Sequence, residues 1–420
     1  MVEENSLTVD TLVVGGGISG MTTAIETAEA GKRAILLERK PSLGGRVMAM
    51  NQYFPKLCPP TCGIEINLKR MRGNENLQVM TLAEVEKISG GPGKYEVTVK
   101  LHPRFINEKC TGCGDCERAC EVERDNDMNF GLDKTKAAYL PHLNAYPFRY
   151  VIDPAQVKDE KMKKCAEACK YGAIELDMQP KTITIRAGAV VWATGWRPYD
   201  AAKMERLGFG KYKNVVTNVI MERLASETGP TGGKIVRPSD QKEIAKIGFV
   251  QCAGSRDDNH LPYCSSVCCL ASMKQATYVR AQYPEAEIHI FYIDVRTPGR
   301  MEDFYTKAQE DKKLFFHRGK VGTITEMDNG NVILEAENTV SGQLTKTEVD
   351  MAVLAVGMVP NTADTPPPLD TPLDDYGFIA PDSGQGVIGA GTSTRPLDVS
   401  MSVQDATGAA MKALITAAGR

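Results

Sequence analysis

The N-terminal part of the chain alternates between short apolar runs and one segment in which apolar residues recur with helical spacing. Residues 9–14 form an apolar run typical of a buried parallel strand, residues 18–29 have a helical pattern, and residues 33–37 form a second apolar run. This order of strand, helix and strand predicts a βαβ unit. Apolar runs near 190–192 and 244–250 predict further buried strands, so the fold class is α/β.

Three glycines lie between the first predicted strand and its helix, with the spacing G-x-G-x-x-G. In this context Gly15 permits a tight turn, Gly17 lets a pyrophosphate approach the backbone, and Gly20 allows close packing of helix and strand. Glu38 ends the second strand, where a carboxylate accepts hydrogen bonds from a ribose. The predicted dinucleotide contacts of this segment are Gly15, Gly17, Ile18, Ser19, Gly20, Glu38 and Arg39.

Composition restricts the functional classes. The chain has 42% hydrophobic and 25% charged residues with a net charge of −3, as expected for a globular protein without a nucleic-acid partner. The first residues are polar and acidic, unlike a signal or transit peptide. No apolar run approaches the roughly 20 residues of a membrane helix, so we expect no direct membrane span.

Twelve cysteines are many for a chain of 420 residues, and they are clustered. Without a signal peptide, clustered cysteines indicate metal or redox chemistry rather than a disulfide framework. The cysteines form three groups along the chain. These are Cys58 with Cys62, then Cys110, Cys113, Cys116 and Cys120 with Cys165 and Cys169, and finally Cys252 with Cys264, Cys268 and Cys269.

The second group of cysteines lies in a segment, between about residues 101 and 185, that interrupts the Rossmann pattern of alternating strands and helices. Its first four cysteines have the ferredoxin spacing C-x2-C-x2-C-x3-C, and the segment around Cys169 resembles the end of a second ferredoxin run. In two-cluster ferredoxins the last cysteine of each run ligates the other cluster. We therefore predict one 4Fe–4S cluster bound by Cys110, Cys113, Cys116 and Cys169.

A second cluster in this insertion would need Cys120, Cys165 and two further thiols. The ferredoxin pattern places Val157 and Met162 at those positions, so we expect Cys120 and Cys165 to be vestigial or in a less regular arrangement. Two alternatives stay open at this point. All four cysteines of the first run surround one cube, or Cys165 and Cys169 are a buried pair on a helix.

Three segments resemble the thioredoxin reductase and disulfide reductase group of flavoproteins. They are Gly44-Gly45-Arg46, the strand and Ala-Thr-Gly turn at 190–198, and the segment 386–414. The resemblance implies FAD and a fold with two dinucleotide-binding domains, here with an inserted ferredoxin-like α+β domain. Thr392 stands where the group usually has Asp. The further flavin contacts implied are Gly45, Arg46, Ala193, Thr194, Gly195, Gly391, Thr392, Ser402 and Val403.

Flavoproteins of that group carry a second glycine fingerprint for NAD(P)H after a strand that corresponds to residues 244–250. Here the strand leads instead to Cys252, Cys264, Cys268 and Cys269, followed by a predicted helix from about Cys269 to Ala281. Thiolates are the normal ligands of a 4Fe–4S cube. We predict a second, non-canonical cluster and no reduction by NAD(P)H. A redox disulfide with spare thiols and a structural zinc site are the alternatives.

The whole chain resembles the A-type subunit of heterodisulfide reductase, through segments such as YCSSVCC and YIDVRTPGRMEDFY. Its short form looks like the A-type subunit of the quinone-interacting membrane-bound oxidoreductase of sulfate reducers. The resemblance implies a second flavin/iron–sulfur subunit, a membrane haem/quinone subunit, and adenylylsulfate reductase as electron acceptor. It also implies a cytoplasmic location, peripheral to the inner membrane through partner subunits.

The predicted domain boundaries follow from these segments. We expect an FAD domain at 1–100, the insertion at 101–184, a closing strand and linker at 185–240, a second Rossmann-like domain at 241–355, and the last part of the FAD domain at 356–420. We expect Cys58 and Cys62 to lie near the flavin. They are an extra cluster ligand, a redox dithiol or plain buried thiols. Arg46, Arg296 and Arg300 are candidates for charge near the flavin. A stand-alone NAD(P)H-dependent disulfide or ferredoxin reductase and a non-catalytic scaffold are the competing functions.

Overall fold

The computed structural model describes residues 6–381 and 386–419, which form two α/β units and an inserted segment. Residues 1–5, with most of the polar N-terminus, and residues 382–385 and 420 belong to the predicted outer parts of the FAD domain and lie outside the described residues. Within the described ranges, none of the helices has the length and apolar character needed to cross a bilayer.

The first unit begins with the predicted βαβ arrangement. Its elements before the insertion are β1 (Ser6–Val14), α1 (Ile18–Glu29), β2 (Ala34–Glu38), α2 (Pro60–Arg72), β3 (Leu77–Thr81), β4 (Ala83–Ser89) and β5 (Tyr95–Leu101). The helix α1 has the predicted bounds, and β2 is shifted by one residue from its predicted range. The central strands are almost continuously apolar because both faces of the sheet are covered.

The insertion contains two short helices and two small antiparallel sheets. Its elements are α3 (Asp115–Ala119), β6 (Glu123–Asp125), β7 (Lys134–Lys136), β8 (Ala138–Tyr139), β9 (Val151–Ile152) and α4 (Met162–Glu167). The strands pair as β6 with β7 and β8 with β9. This mixture of helices and antiparallel strands agrees with an α+β insertion, and its ferredoxin-like character stays a prediction.

The remaining elements complete the first unit and build the second. They are β10 (Lys181–Trp192), β11 (Trp196–Pro198), β12 (Val215–Thr217), α5 (Asn218–Ala225), β13 (Lys246–Ala253), α6 (Cys268–Gln282), β14 (Glu287–Tyr292), α7 (Glu302–Gln309), β15 (Leu314–Arg318), β16 (Val321–Glu326), β17 (Val332–Glu337), β18 (Leu344–Val349), β19 (Met351–Val356), β20 (Met358–Pro360), β21 (Ile388–Gly389) and α8 (Val399–Ala417). Short 3-10 turns occur at Gly45–Ala49, Asp127–Asn129, Ala201–Lys203, Glu205–Leu207, Gly299–Met301, Asn361–Ala363 and Gly391–Ser393.

The first sheet has the strand order β3-β2-β1-β10-β5-β4, and β21 also pairs with β10. The strand β1 begins at Ser6 rather than residue 9 because its parallel pairing with β10 starts at Ser6 opposite Thr184. The strand β10 begins at Lys181, where it pairs with Leu101 of β5. The insertion therefore ends before residue 181, slightly earlier than predicted.

The second sheet is parallel, with the order β12-β19-β13-β14-β15, and the antiparallel sheet β16-β17-β18 packs beside it. The strand β12 pairs with β19, and α5 packs in the same core. Residues 215–225 therefore belong to the second unit, which corrects their assignment to the FAD-domain linker. The boundary between the two units is set by the pairing of β12 with β19. It could not be predicted from the sequence, because a strand of three residues has no clear pattern of apolar and polar positions. The antiparallel pair β11-β20 connects the two units.

Candidate cofactor sites

Two glycines of the turn between β1 and α1 are required by close backbone contacts. Gly15 has φ +111°, and a Cβ atom on it would lie 2.3 Å from the carbonyl oxygen of Ala193. A Cβ atom on Gly20 would lie 1.7 Å from the carbonyl oxygen of Gly15. The turn therefore brings α1 against the carboxyl ends of β1 and β10, where α/β folds bind dinucleotides.

Gly17 differs because it faces open space. A Cβ atom on Gly17 would contact only the Cα atom of Gly45, at 3.9 Å. Gly17 is the N-cap of α1, and no side chain of the described residues caps this helix. The N–H groups of the first turn, which includes Ile18, are thus free to bind an anion such as a pyrophosphate.

The Glu38 carboxylate is held at the end of β2. Its two oxygens accept hydrogen bonds of 2.7 Å from the backbone N–H groups of Gly16 and Lys40. Burial raises the pKa of Glu38. A carboxylate has about four acceptor positions, so lone pairs remain for the hydroxyls of a ribose. The neighbouring Arg39 is exposed.

The turn after β10 contains a buried hydroxyl without a partner. The Oγ1 atom of Thr194 makes no hydrogen bond with the described residues. Gly195, with φ +73°, lies so close to Thr392 that a Cβ atom would be 3.7 Å from the Thr392 Oγ1 atom. An unpaired buried hydroxyl costs about 1–3 kcal/mol. Thr194 therefore fits a bound group with hydrogen-bonding atoms, such as a flavin.

The 3-10 turn that contains Thr392 packs between α1 and α8. A Cβ atom on Gly391 would lie 1.9 Å from the Oγ atom of Ser19 and 3.8 Å from the Cβ atom of Ser402, which is itself buried. The structure thus brings these predicted residues together. Val403, the next residue of α8, is partly buried.

Asp405 is a site residue that the sequence analysis missed. Its Oδ2 atom accepts a 2.7 Å hydrogen bond from the backbone N–H of Gly391, and its Oδ1 atom lies 3.3 Å from Arg395. It places a carboxylate at the turn where the related flavoproteins have Asp and this chain has Thr392. The available signal was that Asp405 is the single acidic residue of α8.

Of the three candidate arginines, Arg46 lies within this site. Its Nε atom donates a 2.8 Å hydrogen bond to the carbonyl oxygen of Trp196, and its guanidinium lies 4.8 Å from the centre of the Trp196 ring. Burial lowers the pKa of Arg46 to about 10. Arg296 lies instead beside Asp294 in the second unit, and Arg300 is exposed.

In the insertion, the four predicted cluster ligands border one cavity. Cys110, Cys113, Cys116 and Cys169 all line it. Burial, together with the thiols of Cys110 and Cys113, raises the pKa of Cys116 to about 12. The backbone N–H of Ala173 donates a 3.3 Å hydrogen bond to the Cys169 sulfur. The donor set and the cavity fit a thiolate-bound cluster.

Cys120 and Cys165 lie away from that cavity. They are 3% and 0% exposed, and burial and a hydrogen bond with Cys120 raise the pKa of Cys165 to about 12. Val157 and Met162 pack in the same apolar core. Where a second ferredoxin cluster would lie, the described chain therefore has a thiol pair surrounded by apolar side chains.

Four cysteines also approach one another in the second unit. The pairing of β13 with β19 is irregular between Val250 and Ala253, and Cys252 within this bulge has φ +55°. Burial and the thiols of Cys269 and Cys264 raise the pKa of Cys252 to about 11. Cys268 begins α6, and its buried thiol has a raised pKa. Bulges and left-handed residues are frequent at functional sites because they re-aim side chains.

The surroundings of this second group are polar on one side. Arg256 is paired with Asp294 at the end of β14, and its side chain also reaches Cys252. Cys268 contacts the carbonyl oxygen of Val356 at 3.7 Å, and Cys269 contacts that of Asp294 at 3.8 Å. The group therefore lies at the carboxyl ends of β13, β14 and β19, beside the connection to the first unit.

All twelve cysteines are free thiols in the structure. Among the described residues, no three His, Cys, Asp or Glu side chains are close enough together to bind a single metal ion. The geometry gives no support to the zinc alternative, which needs all sulfurs about 2.3 Å from one ion. In a 4Fe–4S cube each thiolate binds a different iron atom, so the four cysteine sulfurs lie farther apart than they would around a single metal ion.

Cys58 and Cys62 line neither cavity. Cys62 is exposed in the first turn of α2, whereas Cys58 is partly buried and pairs through its backbone with Tyr53. Both thiols contribute to a raised pKa of the Tyr53 phenol, after its burial. The alternative of two plain buried thiols is wrong, because Cys62 is exposed and Cys58 is only partly buried.

Comparison with known proteins gives relatives over nearly the whole chain. The A-type subunit of the H2:CoB-CoM heterodisulfide,ferredoxin reductase of Methanothermobacter thermautotrophicus is 33% identical over 430 residues, covering 99% of this chain and 65% of that protein. The iron–sulfur A-type subunit of the CoB–CoM heterodisulfide reductase of Methanocaldococcus jannaschii is 35% identical over 420 residues, covering 95% of this chain and 63% of the relative. The chain thus spans about two thirds of these relatives or less.

Two further comparisons concern the fold. Residues 13–64 match the family model of an NAD(P)-binding Rossmann-like domain. The thioredoxin reductase of Lactococcus lactis superimposes with a TM-score of 0.53 at 14% identity, covering 98% of this chain and 100% of that structure. The predicted thioredoxin reductase-like architecture is confirmed by this likeness.

Proposed function

We propose a function from the premise that this chain is homologous to the A-type subunit of heterodisulfide reductase over most of its length, a relation that the sequence had predicted. In this proposal the chain is an FAD- and iron–sulfur-containing electron-transfer subunit of a larger oxidoreductase. The observation that carries the proposal is the cavity bordered by Cys110, Cys113, Cys116 and Cys169, in a chain that also has a dinucleotide cradle at Gly17.

The residues of the first unit would hold FAD. The first turn of α1 would bind the pyrophosphate, Glu38 the ribose, and the turns at Thr194 and Thr392 the flavin end, with Asp405 supporting the second turn. Bound FAD exchanges two electrons with one partner and single electrons with clusters. Arg46, fixed on Trp196, would supply a positive charge beside the flavin site.

The cysteines would hold two 4Fe–4S clusters. One would use Cys110, Cys113, Cys116 and Cys169, and the second would use Cys252, Cys264, Cys268 and Cys269. The second group starts α6, whose N-terminus favours an anionic centre. It also stands where related flavoproteins have a nicotinamide motif. Electrons would then enter through partner proteins rather than from NAD(P)H.

The finer proposal concerns the complex. We infer partners like those of the quinone-interacting oxidoreductase of sulfate reducers, namely a membrane haem/quinone subunit together with a second flavin/iron–sulfur subunit. Adenylylsulfate reductase would accept the electrons, with flavin-based bifurcation or confurcation as a variant of the same route. The chain would then be cytoplasmic and peripheral to the inner membrane. The resemblances given above support this assignment.

Chemical analysis of the anaerobically purified protein, with EPR, tests the proposal. We expect one FAD and about eight iron atoms per chain, four for each cube. NADH added without oxygen should leave the flavin absorbance unchanged, whereas dithionite should bleach it. A protein without FAD, or with flavin but no iron, would contradict the assignment.

A stand-alone NAD(P)H-dependent reductase is the second candidate, favoured by the match to an NAD(P)-binding domain model. That match covers residues 13–64, which form the first βαβ unit and not the second. Rapid bleaching of the flavin by NADH, together with about four iron atoms per flavin and a disulfide among Cys252, Cys264, Cys268 and Cys269, would favour this candidate.

A further inference from the structure

Gln251 is a polar residue in an apolar strand. It precedes Cys252 in β13, it is 3% exposed, and both its Oε1 and its Nε2 atoms lack hydrogen-bond partners among the described residues. Leaving one buried polar group unpaired costs about 1–3 kcal/mol, and this side chain has two such atoms. A group that forms hydrogen bonds with it in the functional protein would remove this cost.

The cavity beside Gln251 restricts what that group can be. Gln251 and Cys269 line it together with apolar and aromatic side chains. The cavity has no room for a water molecule, so a buried water does not satisfy the amide.

Two other polar groups line this cavity, the phenol of Tyr292 and the thiol of Cys269, and neither is hydrogen-bonded to the amide among the described residues. In the proposed function this thiol is a cluster ligand, so its sulfur and the inorganic sulfides would be anionic acceptors. Hydrogen bonds to such sulfurs are among the factors that set the reduction potential of a cluster. The amide N–H groups of Gln251 are donors of the required kind.

We propose that Gln251 is a positioning and tuning residue, whose amide N–H donates a hydrogen bond to a sulfur of the cluster bound by Cys252, Cys264, Cys268 and Cys269. This inference rests on the proposed function. A cluster gains negative charge on reduction, so an N–H donor stabilises the reduced form more than the oxidised form. Gln251 therefore raises the reduction potential of this cluster relative to the same cluster without the donor.

An EPR-monitored redox titration of the Gln251→Leu holoprotein tests this inference. We expect the midpoint potential of this cluster to shift to a more negative value, while the iron and FAD contents stay at the wild-type level. The relevant EPR signal is the one that disappears in Cys268→Ser. The ferredoxin-type cluster provides an internal reference, and its potential should not change.

The matched control is Gln275→Leu. Gln275 is also buried in the second unit, but its Nε2 atom donates to Glu222 at 2.7 Å and to the carbonyl oxygen of Asn218 at 2.8 Å. This variant loses the hydrogen bonds to Glu222 and Asn218 and should be less stable, but it should leave the cluster potential unchanged because Gln275 does not line the cavity with Cys269. A potential unchanged in Gln251→Leu, or shifted equally in both variants, would overturn the proposed role.

Unfolding of the apoprotein gives a second readout if Gln251→Leu binds less iron. Replacing an unpaired amide by an apolar side chain should leave the stability of the apoprotein equal or higher, whereas a structural role predicts a lower stability. A clear loss of apoprotein stability would therefore contradict the inference. Failure of the proposed function would look different, because Cys268→Ser would then leave the wild-type iron content unchanged.

Discussion

The three motif glycines of the β1–α1 turn, Gly15, Gly17 and Gly20, meet two kinds of environment. Gly15 and Gly20 face backbone atoms of the protein, at 2.3 Å and 1.7 Å from a hypothetical Cβ atom, whereas Gly17 faces the space where the pyrophosphate is proposed to lie. Gly15 and Gly20 are therefore needed for the fold, whereas Gly17 is needed for the proposed binding of the cofactor. Only at Gly17 should a larger side chain act on the cofactor without acting on the fold.

We predict that Gly17→Val weakens FAD binding by at least about tenfold, which corresponds to about 1.4 kcal/mol. Its backbone φ of −77° suits any residue, so the fold should tolerate the change. Flavin content after purification and FAD titration of the apoprotein measure the effect. In contrast, Gly15→Val should impair folding itself, because Gly15 has φ +111°.

Gly73→Val is the matched control for this prediction. Gly73 follows α2, has φ −96°, and has no atom within 4 Å of a hypothetical Cβ. We expect normal FAD content and a change in unfolding free energy within about 0.5 kcal/mol, as for most surface substitutions. Normal FAD affinity in Gly17→Val would place the pyrophosphate elsewhere.

Where a motif has a local cause, the sequence predicts which residues of the proposed FAD site lie together. The glycine spacing follows from the geometry of one turn, and the structure brings Ser19, Gly391 and Ser402 together as the resemblance implied. Asp405 and the left-handed Cys252 were beyond prediction, because a carboxylate reaching a turn 14 residues away and a β-bulge both depend on tertiary pairing.

At the scale of elements, the insertion separates its six cysteines into two groups. Those lining the cavity come from the loop before α3, from α3 and from the turn after α4, whereas Cys120 directly follows α3 and Cys165 lies within α4. The ferredoxin spacing predicted which four cysteines meet. It could not show that Cys120 and Cys165 touch in an apolar core, because that packing depends on Val157 and Met162.

This separation gives a prediction with paired variants. Cys169→Ala should remove one cluster, lowering the iron content from about eight to about four atoms per FAD. Cys120→Ala should keep all the iron, because this thiol lies outside the cavity and its loss removes only one buried sulfur. Iron analysis and EPR of both proteins measure the difference. If Cys120→Ala lost the cluster and Cys169→Ala kept it, the ligand assignment would be wrong.

The boundary of the second unit shows the limit of sequence patterns for elements. The buried strand near 244–250 and the helix after Cys268 were predicted within one to three residues of their observed limits at each end. The strand β12 and the helix α5 were not, because strand β12 has three residues and its partner β19 is more than 130 positions later. Their place in the sheet is determined by long-range pairing.

At the scale of the whole molecule, a buried ion pair of the second unit forms hydrogen bonds with the first unit. Lys274 of α6 lies 2.9 Å from Glu222 of α5, and the two side chains are only 5% and 7% exposed. Glu222 accepts a 3.0 Å hydrogen bond from the backbone N–H of Asn51, and Lys274 donates to the carbonyl oxygen of Gln52. Both backbone groups follow the 3-10 turn that contains Arg46.

This network fixes α6, which begins with two of the proposed cluster ligands, against the loop beside the proposed flavin site. Gln275 and Tyr278 of the same helix also donate to Glu222, so both carboxylate oxygens are satisfied. A buried charge that is fully hydrogen-bonded is costly to disturb, because removal of one partner leaves the other uncompensated. These polar contacts add to the β11-β20 pairing in holding the two units together.

We predict that Glu222→Gln lowers the free energy of unfolding by about 3–5 kcal/mol, because the Lys274 charge would stay buried without its partner. The double variant Glu222→Gln/Lys274→Met should recover much of that loss, since it removes both charges. Urea unfolding followed by circular dichroism measures the cycle. As a control, Lys234→Met breaks an ion pair with Glu243 whose side chains are 58% and 66% exposed, and it should cost less than about 1 kcal/mol. Equal effects of Lys234→Met and Glu222→Gln would mean that the buried pair contributes no more to stability than an exposed pair.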